Sequence, residues 1–132
     1  MQKTIFVGLL AGLAMFIVGF GLNFLFGVMF PGFQAIYENT NIFMAMDSGR
    51  GSLFYIYPFV LGISLAWLYK KLSVENRDIC NFAFIYFVVA VVPAFIINTA
   101  AFNLPISMIL TWSISGFVHA IVAAAVFKKM LK

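Results

Sequence analysis

Four long stretches of the chain contain no charged residue, and this feature restricts the fold more than any other. They cover residues 4–30, 51–69, 79–101 and 105–127. Each is close to or above the roughly 20 residues that a helix needs to cross a bilayer. Backbone amides in lipid must be satisfied within the protein, which leaves helices or a closed β-barrel, and the alternating pattern of a barrel is missing. We therefore predict an all-α integral membrane protein, with four transmembrane helices in an antiparallel bundle that forms a single domain.

The composition supports this class of protein. Of the 132 residues, 64% are hydrophobic and only 9% are charged, whereas soluble domains typically have about 45–50% apolar and about 25% charged residues. The twelve charged residues of this chain are too few to cover the surface of a soluble domain of this size. The net charge of +4 comes from residues at the ends of the apolar stretches. We therefore expect the lipid bilayer as a partner and no nucleic acid.

The basic residues fall on one side of the predicted bundle. All except Arg50 lie before the first stretch, between the second and the third, or after the fourth. Cytoplasmic loops are enriched in Lys and Arg. We therefore predict a multi-pass protein of a cytoplasmic-type membrane, the plasma membrane or cell inner membrane, with both termini in the cytoplasm. The residues on that side are Lys3, Lys70, Lys71, Arg77, Lys128, Lys129 and Lys132.

The connection over residues 31–50 is too apolar for a free loop. Pro31 and Gly32 end the first helix, and Phe33, Ile36 and Tyr37 then follow at helical spacing. We predict a short interfacial or re-entrant segment between helices 1 and 2, lying over the outer mouth of the bundle. A helix that lies flat on the headgroups and serves only as an anchor is the simpler interpretation.

Small residues line one face of the first stretch. Gly8, Gly12, Gly19, Asn23 and Gly27 are spaced by four and seven residues, so they share a helix face. Gly8 and Gly12 form a GxxxG motif, which lets a neighbouring backbone approach closely. We predict that the glycines of this face pack against a helix of the bundle or of a second copy. The Asn23 amide would either hydrogen-bond across that contact or serve as a ligand in a central cavity.

A second polar stripe lies on the fourth stretch, where Thr111, Ser115 and His119 are spaced by four residues. An ionisable side chain at membrane depth is by default a functional hypothesis. A neutral imidazole that is hydrogen-bonded to Ser115, or to Tyr86 of the third stretch, is the simpler interpretation. The alternatives are a proton relay, or a metal or haem ligand. One histidine cannot ligate a haem from both sides within a monomer, although a homo-oligomer could supply the second. Haem is therefore disfavoured, and we predict no cofactor and no metal.

Prolines interrupt two of the stretches. Pro58 and Pro93 each lack an amide hydrogen and clash with the carbonyl four residues earlier. Kinks at these positions would leave carbonyls to line a cavity, as in transporters. The best candidate pocket is an outer polar layer of Asn23, Tyr57, Asn98 and Thr111 beneath the loop segment. With the residues near the histidine, the predicted binding residues are Asn23, Tyr57, Asn98, Thr111, Tyr86, Ser115 and His119.

The residues that are absent restrict the function. All four carboxylates lie outside the apolar stretches, so proton-coupled transport through a membrane-embedded acid has no acid to use. The sequence has no Ser–His–Asp arrangement, phosphate loop or Cys/His cluster. The leading hypothesis is a non-enzymatic membrane subunit that associates as a homo-oligomer or with another membrane protein. The alternatives are a pore, carrier or binding protein for a small neutral or apolar molecule, and a membrane enzyme that uses Tyr86 and His119.

Overall fold

A computed structural model describes residues 1–45 and 47–131 of the chain. Met46, in the predicted loop segment, and Lys132, one of the predicted cytoplasmic cations, lie outside the described residues. The described part is 80% helix and has no strands. The predicted all-α fold class is therefore confirmed.

Four helices are long and apolar enough to cross a membrane, which makes the chain a multi-pass membrane protein by helix length and composition. Their limits agree with the four predicted stretches to within a few residues. The helices in chain order are α1 (Gln2–Met29), the short α2 (Phe33–Tyr37), α3 (Leu53–Lys71), α4 (Ile79–Tyr86), α5 (Val92–Ala101) and α6 (Ile106–Met130). A π-helical segment, Phe87–Val91, joins α4 and α5 into one membrane-length helix, Ile79–Ala101.

Polar and aromatic contacts define two ends of the bundle. At one, which we call the charged end, residues 1–4, 70–78 and 128–131 meet. Lys70 Nζ there lies 3.4 Å from Thr4 Oγ1, and Lys128 Nζ lies 2.8 Å from the Asp78 carboxylate. This ion pair holds the pKa of the exposed Asp78 carboxyl below its usual value. At the other, the loop end, α2 packs against the ends of α1 and α6. Of the described basic residues, all but Arg50 lie at the charged end.

The closest contact between helices joins α1 to α3 through glycine. A Cβ placed on Gly8 would lie 2.6 Å from the Cα of Ile63, and one on Gly12 would lie 2.7 Å from the Cα of Phe59. As residue numbers increase along α1, from Gly8 to Gly12, the contacted residues of α3 decrease in number, from Ile63 to Phe59. Gly62 of α3 faces the backbone of both α1 glycines. The GxxxG motif is therefore used inside the chain, and the self-association hypothesis loses the support that it drew from these two residues.

The other predicted glycine positions do not join this contact. Gly19 faces α6, where an added Cβ would lie 3.2 Å from His119 Nε2, whereas a Cβ added to Gly27 would meet no atom outside α1 within 4 Å in residues 1–45 and 47–131. At 3.6 residues per turn Gly27 is rotated by about 100° from Gly8, but Gly19 falls between Gly8 and Gly12 in angle. The contact of Gly19 with α6 therefore reflects which helix lies beside that part of α1, and only the position of Gly27 reflects rotation of the face. A stripe that looks continuous in sequence therefore meets α3 at one end of α1, meets α6 in the middle and stays uncovered at the other end.

Arg77 fixes the end of α3. Its guanidinium donates hydrogen bonds to the carbonyls of Tyr69, Lys70 and Leu72, at 2.9 to 3.1 Å. Carbonyls at the end of a helix have no partner within the helix, so these bonds satisfy groups that would otherwise need water. The Tyr69 hydroxyl donates in return to the Arg77 carbonyl, at 2.7 Å. The Tyr69 ring also packs on Phe82 and Phe127, with centroids 5.3 and 5.4 Å away, which connects α3 to α4 and α6.

The third membrane helix widens directly before Pro93. The π-helical segment, Phe87–Val91, contains Val89, whose carbonyl the proline ring would meet in a regular α-helix. A wider turn relieves this clash. The disturbance that we predicted at Pro93 is therefore present as a π-bulge, a feature found frequently at functional sites. By contrast, α3 passes through Pro58 as one helix.

Replacing Gly12 by alanine should lower the melting temperature of the protein in detergent. The new Cβ would meet backbone atoms of α3, and such overpacking typically costs about 1–3 kcal/mol. Gly21→Ala is the matched control, because Gly21 lies on the same helix and its added Cβ would meet no described residue outside α1 within 4 Å. The Gly21→Ala protein should be more stable to unfolding by about 0.5–1 kcal/mol, because alanine favours the helix over glycine. A Gly12→Ala protein that melts as high as Gly21→Ala would contradict the described contact.

Candidate binding site

A cleft beside the π-helical segment is the candidate binding site. It has a volume of about 190 Å³ and lies between α3, α6 and the membrane helix formed by α4 and α5. We call it the π-bulge cleft. Its polar wall consists of Tyr57, Tyr86, Asn98, Trp112 and Ser113, and the rest is apolar.

Small residues open this cleft. Ala90 lines it from within the π-helical segment, Ala94 lines it from the start of α5, and Gly116 lines it from α6. A Cβ on Gly116 would lie 3.0 Å from Val91 Cγ2, so glycine lets the π-helical segment approach α6 closely. The wide turn of the π-helical segment and the small size of its alanine and glycine neighbours together leave the space of the cleft.

Three helices bring polar groups to the cleft. Tyr57 comes from α3, Tyr86 ends α4, and Asn98 belongs to α5. The Ser113 hydroxyl donates to the carbonyl of Ile109, at 3.1 Å, so its proton is used within α6. Hydroxyls and a carboxamide both donate and accept hydrogen bonds, and the lining residues include no charged side chain, so the wall suits a neutral polar group.

The structure brings together three of the seven predicted binding residues, namely Tyr57, Tyr86 and Asn98. Asn23 and Thr111, the other members of the predicted outer layer, do not line this cleft. Asn23 is exposed on α1. Thr111 is 1% exposed and donates to the carbonyl of Met108 at 2.7 Å, inside its own helix. The predicted polar layer is therefore only half assembled, because Asn23 and Thr111 lie on helix faces turned away from the cleft.

His119 lies against α1 rather than in the cleft. Its Nε2 atom is buried next to Gly19 and has no hydrogen-bond partner in residues 1–45 and 47–131. The hydrogen bond that we expected from Ser115 or Tyr86 does not reach this nitrogen. Ser115 is half-buried and does not line the cleft either. The pairing of Tyr86 with His119, on which the enzyme hypothesis depends, is therefore not made at Nε2.

Trp112, Ser113 and Gly116 are cleft residues that sequence reasoning missed. Residues 112 and 116 are one turn apart and lie beside the predicted polar stripe of α6, so a small residue one turn from an indole was the available signal. The indole of Trp112 also connects the cleft to the loop end, because its Nε1 donates a hydrogen bond to the Tyr37 hydroxyl. Burial raises the pKa of Tyr37, and this hydrogen bond partly offsets the rise.

Aromatic packing holds α2 in place at the loop end. The ring of Phe43 stacks on Tyr37 with centroids 5.2 Å apart, and its centroid lies 6.1 Å from that of Trp112. Phe33 is buried against Phe26 of α1. The segment that we predicted over the mouth of the bundle therefore contacts both α1 and α6, and through Trp112 it contacts a wall of the cleft.

Across residues 1–45 and 47–131, no three His, Cys, Asp or Glu side chains are grouped so that they could hold a metal ion. The polar side chains that line the cleft carry hydroxyl, amide and indole groups. No protein-family model, no curated protein and no solved structure matches this chain.

Proposed function

We propose that the chain is a membrane-embedded binding protein for a small neutral molecule that carries a hydrogen-bonding group. The observation that carries the proposal is the convergence of Tyr57, Tyr86 and Asn98 on one uncharged cleft beside a π-bulge. Polar groups at membrane depth are expensive and are commonly functional. A ligand hydroxyl, carbonyl or amide would supply the partners that lipid tails cannot supply.

The size of the cleft restricts the ligand. Its volume of about 190 Å³ is below the roughly 300–1,000 Å³ of typical drug-sized pockets. The Tyr57 side chain is 52% exposed on the outer surface of the bundle, so the cleft is reached from the bilayer. The ligand would place a ring or a polar head in the cleft and leave its remaining apolar part among the lipid tails.

Deleting one hydroxyl from the cleft should weaken the complex. Tyr86→Phe removes a hydrogen-bonding group with little change in shape, and Tyr55→Phe is the matched control, because Tyr55 lies on α3 but does not line the cleft. Native mass spectrometry of protein released in mild detergent should show a discrete small-molecule adduct. At a given free ligand concentration, the ratio of adduct-bound to free protein should fall about five-fold in Tyr86→Phe, as expected for one hydrogen bond of about 1 kcal/mol. The proposal fails if the wild type carries no adduct, or if both variants retain it equally.

A second candidate function, association with another membrane helix, is favoured by the position of Asn23. α1 has 28 residues and is about 42 Å long at 1.5 Å per residue, so Asn23 falls within the hydrocarbon thickness of about 30 Å. The residue is exposed there, one turn from Gly27, where an added Cβ would meet no atom outside α1 within 4 Å in the described part of the chain. An exposed amide beside a small residue suits a hydrogen bond across a helix contact. In this role the chain would be an accessory or self-associating subunit.

Asn23→Leu should therefore weaken association between copies in a bilayer. Interhelical hydrogen bonds in membranes average about 0.6 kcal/mol, which corresponds to about a three-fold lower association constant. Energy transfer between copies labelled with donor and acceptor, measured over a series of lipid-to-protein ratios, gives this constant. Asn103→Leu, in the connection between α5 and α6, is the control and should leave it unchanged. Equal constants for the wild type and Asn23→Leu would exclude Asn23 from the contact between copies.

We also propose that the charged end lies in the cytoplasm and that the membrane is of the cytoplasmic type. The one-sided distribution of the basic residues supports this orientation.

Cys80, the only cysteine of the sequence, is exposed at the start of α4, near Asp78. A membrane-impermeant maleimide should therefore label it in permeabilised cells and not in intact cells. An Asn41→Cys variant in a Cys80→Ser background should show the reverse, because residue 41 lies at the loop end. Labelling of Cys80 in intact cells would contradict the orientation.

A further inference from the structure

A groove at the charged end opens where the glycine contact between α1 and α3 stops. It has a volume of about 340 Å³ and shares no residue with the π-bulge cleft. Ile63, whose backbone touches Gly8, forms its inner limit. From there the two helices separate toward Thr4 on α1 and Lys70 on α3, and the groove lies between them. We call it the charged-end groove.

The outer part of the groove is positively charged. Lys70 and Lys71 line it, and none of its lining residues is acidic. The Lys70 ammonium donates a hydrogen bond to the Thr4 hydroxyl, with Nζ and Oγ1 3.4 Å apart. A hydroxyl that accepts in this way can also donate its own proton, so a cation and a hydroxyl lie side by side. The neighbouring cations are already occupied, because Lys128 is paired with Asp78 and the Arg77 guanidinium binds three carbonyls. In the part of the chain that the structure describes, neither groove lysine forms an ion pair.

The inner part of the groove is apolar. Ile5 and Ile63 form its walls, and the ring of Trp67, 61% exposed, forms the rim. Lys71 Nζ lies 5.7 Å from the centre of that ring, so the tryptophan holds one of the two cations at the mouth. Tryptophan at the membrane interface sits at headgroup level. The groove thus passes from two cations at headgroup level to an apolar furrow that leads into the bilayer, within one continuous space.

We propose that the charged-end groove binds an anionic phospholipid. Lys70, Lys71 and the Thr4 hydroxyl would hold the headgroup phosphate, and the first part of an acyl chain would lie along Ile5, Ile63 and Trp67. Basic pockets between membrane helices bind anionic headgroups in this way. A free phosphate ion would use the lysines but would leave the apolar furrow and the exposed tryptophan uncovered. The furrow therefore favours a lipid as the occupant.

Fluorescence of Trp67 tests this proposal, because bromine on a lipid chain quenches a tryptophan that it contacts. A Trp112→Phe background leaves Trp67 as the only tryptophan. The protein is reconstituted into phosphatidylcholine vesicles that contain either brominated phosphatidylglycerol or brominated phosphatidylcholine at the same mole fraction. The ratio of the two quenching curves gives the association constant of the anionic lipid relative to the neutral one.

We expect this relative constant to be well above one. Replacing both groove lysines, Lys70→Gln with Lys71→Gln, should lower it by roughly five-fold per lysine, the factor that corresponds to about 1 kcal/mol for each basic residue at an anionic surface. The matched control is Lys3→Gln with Lys129→Gln, which removes the same charge from the same end but outside the groove. This control should change the constant by less than two-fold.

Three results of the fluorescence experiment would overturn the proposal. The first is a relative constant near one in the unmodified groove, and the second is an equal loss in both double variants, which would mean diffuse attraction to the surface. The third is loss of the preference in inorganic phosphate but not in chloride of equal ionic strength, which would make the groove a site for free anions. Native mass spectrometry of wild-type protein with equimolar phosphatidylglycerol and phosphatidylcholine repeats the comparison without the Trp112 substitution. Retention of both lipids in equal number there would also refute it.

Discussion

The contact between the backbones of α1 and α3 determines how the rest of the bundle is placed. Gly62 faces Gly8 and Gly12, and no side chain separates the two helices at that point. In a bilayer, helices gain little from burying apolar surface and associate through close packing. The contact therefore depends mainly on glycine, because the absence of a Cβ lets the two backbones approach. With α3 held on one side of α1, the adjoining side packs on α6. Both the charged-end groove and the position of His119 follow from that division.

The π-bulge has a comparable role on the other side of the molecule. Pro93 prevents a regular turn, and the wider turn before it carries Ala90 and Val91 toward α6. The polar residues around this turn then share one space, although they come from three helices. The π-bulge that relieves the clash at Pro93 thus lies beside a candidate site lined by hydroxyl, amide and indole groups.

The sequence allowed the four membrane helices and their approximate limits to be predicted, because charge-free length alone decides whether a segment can span a bilayer. It did not decide which face of a helix meets which neighbour. Gly8 and Gly27 look equivalent in a stripe, but the rotation of the helix separates them by about 100°. Thr111 and Trp112 are adjacent in sequence, yet one is sealed in the core and the other lines the cleft. Such assignments depend on packing between distant segments, which local periodicity does not contain.

The hydrogen bond between Trp112 and Tyr37 has a thermodynamic consequence for the loop end. The same indole forms part of the cleft wall and holds α2 at the mouth of the bundle. A molecule in the cleft that shifts this indole must also change the free energy with which α2 is docked. Such linkage is reciprocal, so any event that detaches α2, such as a change in lipid composition at that surface, would alter the affinity of the cleft by the same factor.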